Sequence, residues 1–139
     1  KVPSLNACDA ARRSMRLLGD RAHRPQMRVH LSYFDQNKSF RSAVPVGGVS
    51  GLIVRRLALR DWGDNWHLLV LDQPFEYNGR RHDQALIRSR WEGYEIGGPV
   101  ETSVFILLLT DPAVLDKPTV DSTDFEHAAW GMVRTESAA

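Results

Sequence analysis

Arg88 and Arg90 stand two residues apart in the stretch Ala85–Trp91, whose composition suits a β-strand. On a strand, such residues share one face about 7 Å apart, so two guanidinium groups there can grip successive anionic groups of one ligand. Trp62 and Trp66 at the preceding turn, with Tyr94 just after the strand, offer flat faces for stacking. That mixture of cation and ring is how small β-barrels hold single-stranded nucleic acid or acidic peptides. A purely structural use competes with it. Trp66 and Trp91 then anchor the core, and both arginines pair across strands with Glu76, Glu92 or Glu95.

A second set of residues suits proton transfer. The chain has five histidines, His23, His30, His67, His82 and His127, and no two are spaced to share one face of one element. A histidine metal site would therefore have to be assembled by folding alone, and none is expected. His82 and Asp83 follow the Asn78-Gly79 turn, while His67 follows a turn holding Asp61 and Asp64. If those two hairpins stack at one end of a barrel, imidazole and carboxylate converge as a general acid–base pair. Asp61, Asp64 and Asn65 lack the full spacing of a calcium loop and read as a plain turn.

Other chemistry is missing from the pattern. No phosphate-loop, dinucleotide, serine-elbow or zinc-protease signature occurs, and no cofactor is expected. Gly47-Gly48-Val49-Ser50-Gly51 precedes a predicted strand, whereas a phosphate loop opens a helix, so it reads as a turn. Cys8 is the lone cysteine; it sits on an apolar stripe and reads as a buried thiol. One cysteine excludes an internal disulfide framework and favours a reducing, cytoplasmic setting. The longest apolar run, Val104–Leu109, is far shorter than a membrane helix of about 20 residues, and no membrane partner is expected.

Charge is divided along the chain. Residues 1–60 hold twelve Lys and Arg against three Asp, a net of +9. Residues 61–139 hold six against fourteen Asp and Glu, a net of −8. Such a division fits a polyanion or acidic protein partner, a homo-oligomer packed head to tail, or two halves that face each other in the fold.

The elements that must position these residues follow from periodicity. Cys8, Ala11, Met15 and Leu18 recur at helical spacing, which predicts an N-terminal helical segment within residues 1–24, capped by Ser4 and ended by Gly19. From Met27 the period becomes two, through Val29, Leu31 and Tyr33. Asp35–Lys38 reads as a turn and Phe40–Val46 as a returning strand. Leu52–Arg60 is a strand whose alternation slips at Arg55-Arg56, as a β-bulge makes it do. Trp66–Asp72 pairs with it; Pro74 punctuates, and Asn78-Gly79 is the strongest hairpin signal. Val104–Leu109 has no polar alternation and should be covered on both faces. Thr123–Glu126 fits a capping box opening a short helix over His127–Arg134, although Gly131 weakens that helix.

The expected fold is a single α+β domain over residues 1–139, mostly β. It is a strongly curved antiparallel sheet or small barrel of six to seven strands within residues 27–110, with an N-terminal helix, an acidic loop and a short C-terminal helix. The expected function is a binding or accessory module without catalytic activity, acting through the arginine and aromatic β-surface. A nucleic-acid-binding barrel and a small enzyme built on His67, His82 and Asp83 are the two alternatives.

Overall fold

In the computed structural model, which describes residues 27–35 and 37–136, Asn78 and Gly79 take φ values of 52° and 76°. These are the left-handed conformations a two-residue hairpin turn requires and Asn-Gly tolerates best. The turn joins β3 (Gly63–Tyr77) to β4 (Arg80–Ser89) within a run of strands that also includes β1 (Met27–Asp35), β2 (Val49–Leu59), β5 (Thr102–Leu109) and β6 (Phe125–Thr135). Each strand pairs antiparallel with the next, and β6 pairs with β1 through Val29↔Thr135 and Leu31↔Val133. The result is a closed six-stranded barrel. Closure satisfies both edge strands, which an open sheet would leave exposed.

The interior is filled by inward-facing residues of the strands, among them Leu31, Leu69, Ile87, Ile106 and Val133, each at most 2% exposed. One end is plugged by the short helix α1 (Lys38–Ala43). Its Phe40 meets Phe34, Phe75 and Tyr77 edge-on, with ring centroids 5.1, 5.6 and 5.3 Å away. Edge-to-face packing suits the ring quadrupoles. A second apolar cluster lies on the outside of the barrel. There Leu68, Leu86 and Leu107 are covered by Val114 and Val120 from the segment between β5 and β6. This strap is tied down by Arg60 N–H donating to Val120 O at 2.8 Å and by Ser122 N–H donating to Asp61 at 2.8 Å. Asp61 thus serves as a structural tie rather than as part of a cation loop. Within the strap, hydrogen bonds from Thr123 and Arg60 lower the Asp121 carboxyl to about 2.

β5 matches its expectation: Val104, Ile106 and Leu108 belong to the interior, and Leu107 and Leu109 to the outer cluster. The slip at Arg55-Arg56 is also present, because the register steps from Ile53↔Leu69 to Arg55↔Leu68. Pro74 does not end a strand. β3 runs through it, and the register shift between Val70 and Phe75 absorbs the missing N–H.

Several expectations are corrected. Phe40–Val46 is not a strand, since residues 38–43 form α1. The reason is Asn37, whose side chain accepts from Phe40 N–H at 3.0 Å as an N-cap and donates to Tyr77 Oη and Ala128 O at 2.7 and 2.8 Å. On β1 the alternation breaks at Tyr33, which has φ 56° and is 76% exposed, so Phe34 takes the buried place. The C-terminal helix over His127–Arg134 is absent; these residues belong to β6. A capping box does form, from Asp121 to Asp124, but it opens only the 3-10 turn Ser122–Asp124. A bulge opposite Ile106 and Leu107 turns Ala128 and Ala129 inward together, which hides the strand period. Gly131 lies against Ile106 Cδ1, where an added Cβ would be 3.0 Å away. The predicted N-terminal helix and Cys8 lie outside the described residues.

The divided charge is partly consumed within the fold. Arg28 pairs with Asp72 and with Glu136, and Arg60 pairs with Asp121, each joining the basic half to the acidic half. Barrel closure brings Glu136, just after β6, beside Arg28 of β1, and the strap brings Asp121 to Arg60.

Candidate ligand-binding face

β4 carries Leu86 and Arg88 outward while Ala85 and Ile87 face the interior, so the strand alternation puts the arginines on the outer surface, as their spacing implies. Arg88 lies opposite Phe105 of β5, and Phe105 lies opposite Trp130 of β6. The Arg88 guanidinium sits 5.8 Å from the centroid of the Trp66 ring and donates to the carbonyl of Trp62 at 3.0 Å. Trp62 in turn stacks on Trp66, with centroids 6.3 Å apart and planes 26° apart. Trp66 is buried at 2% exposure, and its indole N–H finds no acceptor among the described residues.

Arg90 is held more closely. Its guanidinium carbon lies 3.4 Å from the centroid of Trp130, 4.9 Å from that of Trp91 and 5.8 Å from that of Phe105. One N–H reaches Ser103 Oγ at 3.3 Å, and the backbone N–H of Arg90 donates to Ser103 O at 2.9 Å. Aromatic faces attract the cation electrostatically without neutralising it. Among the described residues neither Arg88 nor Arg90 has a carboxylate within ion-pair distance. The expected pairing with Glu76, Glu92 or Glu95 is therefore not made. What the arrangement offers is two oriented, charged forks beside exposed rings. Trp62 and Trp91 are 45% and 55% exposed, and Tyr94, 57% exposed, follows on the same loop with its N–H toward Trp91 O.

Trp66, expected as a stacking platform, is buried in the outer cluster and offers no free face, whereas Trp91, the other core anchor of the competing reading, is exposed. Sequence reasoning does not find Phe105, Trp130 and Ser103 as members of this face. Phe105 is hidden in an apolar run that reads only as core, and Trp130 in a segment that reads as helix. The outward parity of Phe105 relative to Ile106 is the signal that could have revealed it.

The candidate histidines His67 and His82 are far apart. His67 lies near the β2–β3 turn, opposite Arg56 and Ile87, whereas His82 lies opposite Phe75 near the β3–β4 turn. Consecutive hairpins of a meander point to opposite ends, because the shared strand runs the full height between them. From Ile87 back to His82 is five residues of strand, about 17 Å. Burial and the nearby Arg56 hold the His67 imidazole below its ordinary value. Burial does the same for His82, which is 5% exposed with Nε2 unpartnered among the described residues, and Asp83 points to solvent. The structure brings no acid–base pair together from these three. Among the described residues no cluster of metal-ligating side chains occurs, and no helix is long and apolar enough to cross a membrane.

Comparison with protein-family models, with curated proteins and with solved structures finds no match.

Proposed function

We propose that this protein is a binding module whose outer arginine and tryptophan face takes an anionic partner, with no chemistry of its own. The observation that carries this reading is Arg90, fixed between Trp91 and Trp130 with no carboxylate partner among the described residues. A scaffold arginine is ordinarily stabilised by a carboxylate; one steadied by rings keeps its charge and its in-plane donors for a ligand. Because the rings fix its orientation beforehand, little side-chain entropy is lost on binding. Polyphosphate supplies the anion without other recognition features, so it tests the reading directly. Replacing Arg88 and Arg90 together with Gln is expected to weaken polyphosphate binding by about 1–3 kcal/mol for each charge-assisted hydrogen bond removed, while the melting temperature changes little. A parent protein that binds neither polyphosphate nor other polyanions, together with a large fall in melting temperature of the double variant, would assign the arginines to the scaffold.

A further inference from the structure

The outer face does not end at Trp130. Met132 and Arg134 follow it at two-residue steps on β6, and Met132 pairs with both Ser103 and Ser32. Arg134 lies opposite His30 of β1. There the surface opens into a cleft of about 650 Å³ lined by Arg134, Arg41, Tyr33, Glu101 and the turn at Pro45–Gly48. His30 fixes one wall, since its Nε2–H donates to Gly47 O at 2.7 Å and its Nδ1 meets Ser50 Oγ at 2.9 Å. The barrel's other cations explain why this matters. Arg28, Arg60, Arg80 and Lys117 are each ion-paired. Arg41, Arg88, Arg90 and Arg134 have no carboxylate within ion-pair distance among the described residues, and all four lie on this one surface. Lys38, Arg55, Arg56 and Arg81 are in the same condition among the described residues, but none of them lines the cleft. Tyr33, whose φ of 56° turns it out to 76% exposure, adds a flat ring there. Strained non-glycine backbone of this kind marks binding sites more often than plain surface.

From these placements we infer that the face and the cleft form one track for single-stranded nucleic acid, with the cleft taking the phosphates beyond those held at Arg88 and Arg90. This rests on the reading of the arginine and tryptophan face as a binding surface, and extends it. From β3 to β1 the track crosses four strand-to-strand steps, about 19 Å at the usual spacing. That length suits roughly four nucleotides, the lower end of what one small barrel holds. Exposed rings at both ends of a line of cations favour a strand of stackable bases over an acidic peptide, whose carboxylates need no rings.

The test uses labelled oligothymidylates of two to twelve residues in a salt series, with polyphosphate and polyglutamate as reference ligands. Affinity is expected to rise with length up to about four nucleotides and then level off. Arg41→Gln and Arg134→Gln should each weaken binding of the longer oligomers about tenfold and lower the salt slope by about 0.7. The dinucleotide should be unaffected, and Arg134→Lys should restore the slope. Both positions are exposed, so melting curves should remain those of the parent. If long oligomers bind but ignore Arg41→Gln and Arg134→Gln, the track is wrong and the binding face stands. If polyphosphate or polyglutamate binds and oligothymidylate does not, the nucleic-acid assignment is overturned. If none of the three binds, the binding face itself is wrong.

Discussion

Leu86 and Leu107 face each other across β4 and β5 on the outside of the barrel, and the next outward pair along the same strands is Arg88 and Phe105. About 7 Å of strand separates the two rows. Leu86 and Leu107 are wholly buried because the strap from β5 to β6 lies over them with Val114. Arg88 and Phe105 lie at the edge of that cluster, only half-buried, and there the surface turns to cations and rings. The strands have the same geometry in both places. What a neighbouring segment covers decides whether an outward residue is packed as core or left at the surface.

The largest effects should come from placing charge in the two covered regions. Ile106→Asp, inside the barrel, and Leu107→Asp, under the strap, should each cost about 5 kcal/mol or more and abolish a cooperative melt. Ser103→Asp, on the uncovered side, should leave a folded protein with a melt close to the parent's. Circular dichroism on the three variants checks this. A Leu107→Asp protein melting like the parent would show that the outer cluster is no core at all.

Tryptophan separates the regions next. Trp66→Ala removes a buried ring and should cost about 3–5 kcal/mol in urea denaturation. Trp91→Ala removes a half-exposed ring and mainly its packing on Arg90, about 1 kcal/mol. Equal destabilisation by the two would mean that Trp91 is scaffold and would remove its role in holding Arg90 for a ligand.

The smallest effect is in pH. Burial lowers His67, His82 and His127 below 6.5. As pH falls through 6.5 the unfolded chain takes up protons before the folded one, so stability present above that value declines as the solution is acidified. The melting temperature is expected to fall from pH 7 to pH 5. His82→Gln, inside the fold, should flatten that decline more than His127→Gln on the exposed side of β6. A pH-independent melting temperature over this range would contradict the burial of His82 and the partial burial of His67.

Much of this frame is legible in the chain because its signals are local. Asn78-Gly79 specifies its turn through backbone φ preferences, Arg55-Arg56 shows a slipped alternation, and Val104–Leu109 announces cover on both faces by having no polar side. Local signals fail where a distant partner outweighs them. Phe40 has strand neighbours in sequence, yet Asn37, held by Tyr77 and Ala128, caps a helix there. Residues 127–134 combine a bulge, paired alanines and an interior glycine. They look helical until β5 and β1 are both seen to need a partner.

Sequence alone determined the meander, the buried strand and the shared face of Arg88 and Arg90, since strand parity and turn chemistry act within a few residues. Tertiary structure decided that β6 closes the barrel on β1 and that the two histidine-bearing hairpins point to opposite ends. It also decided that Arg90 meets Trp130, distant in the chain, in place of a nearby glutamate. Those outcomes depend on which segments lie over one another, and no short-range preference encodes them.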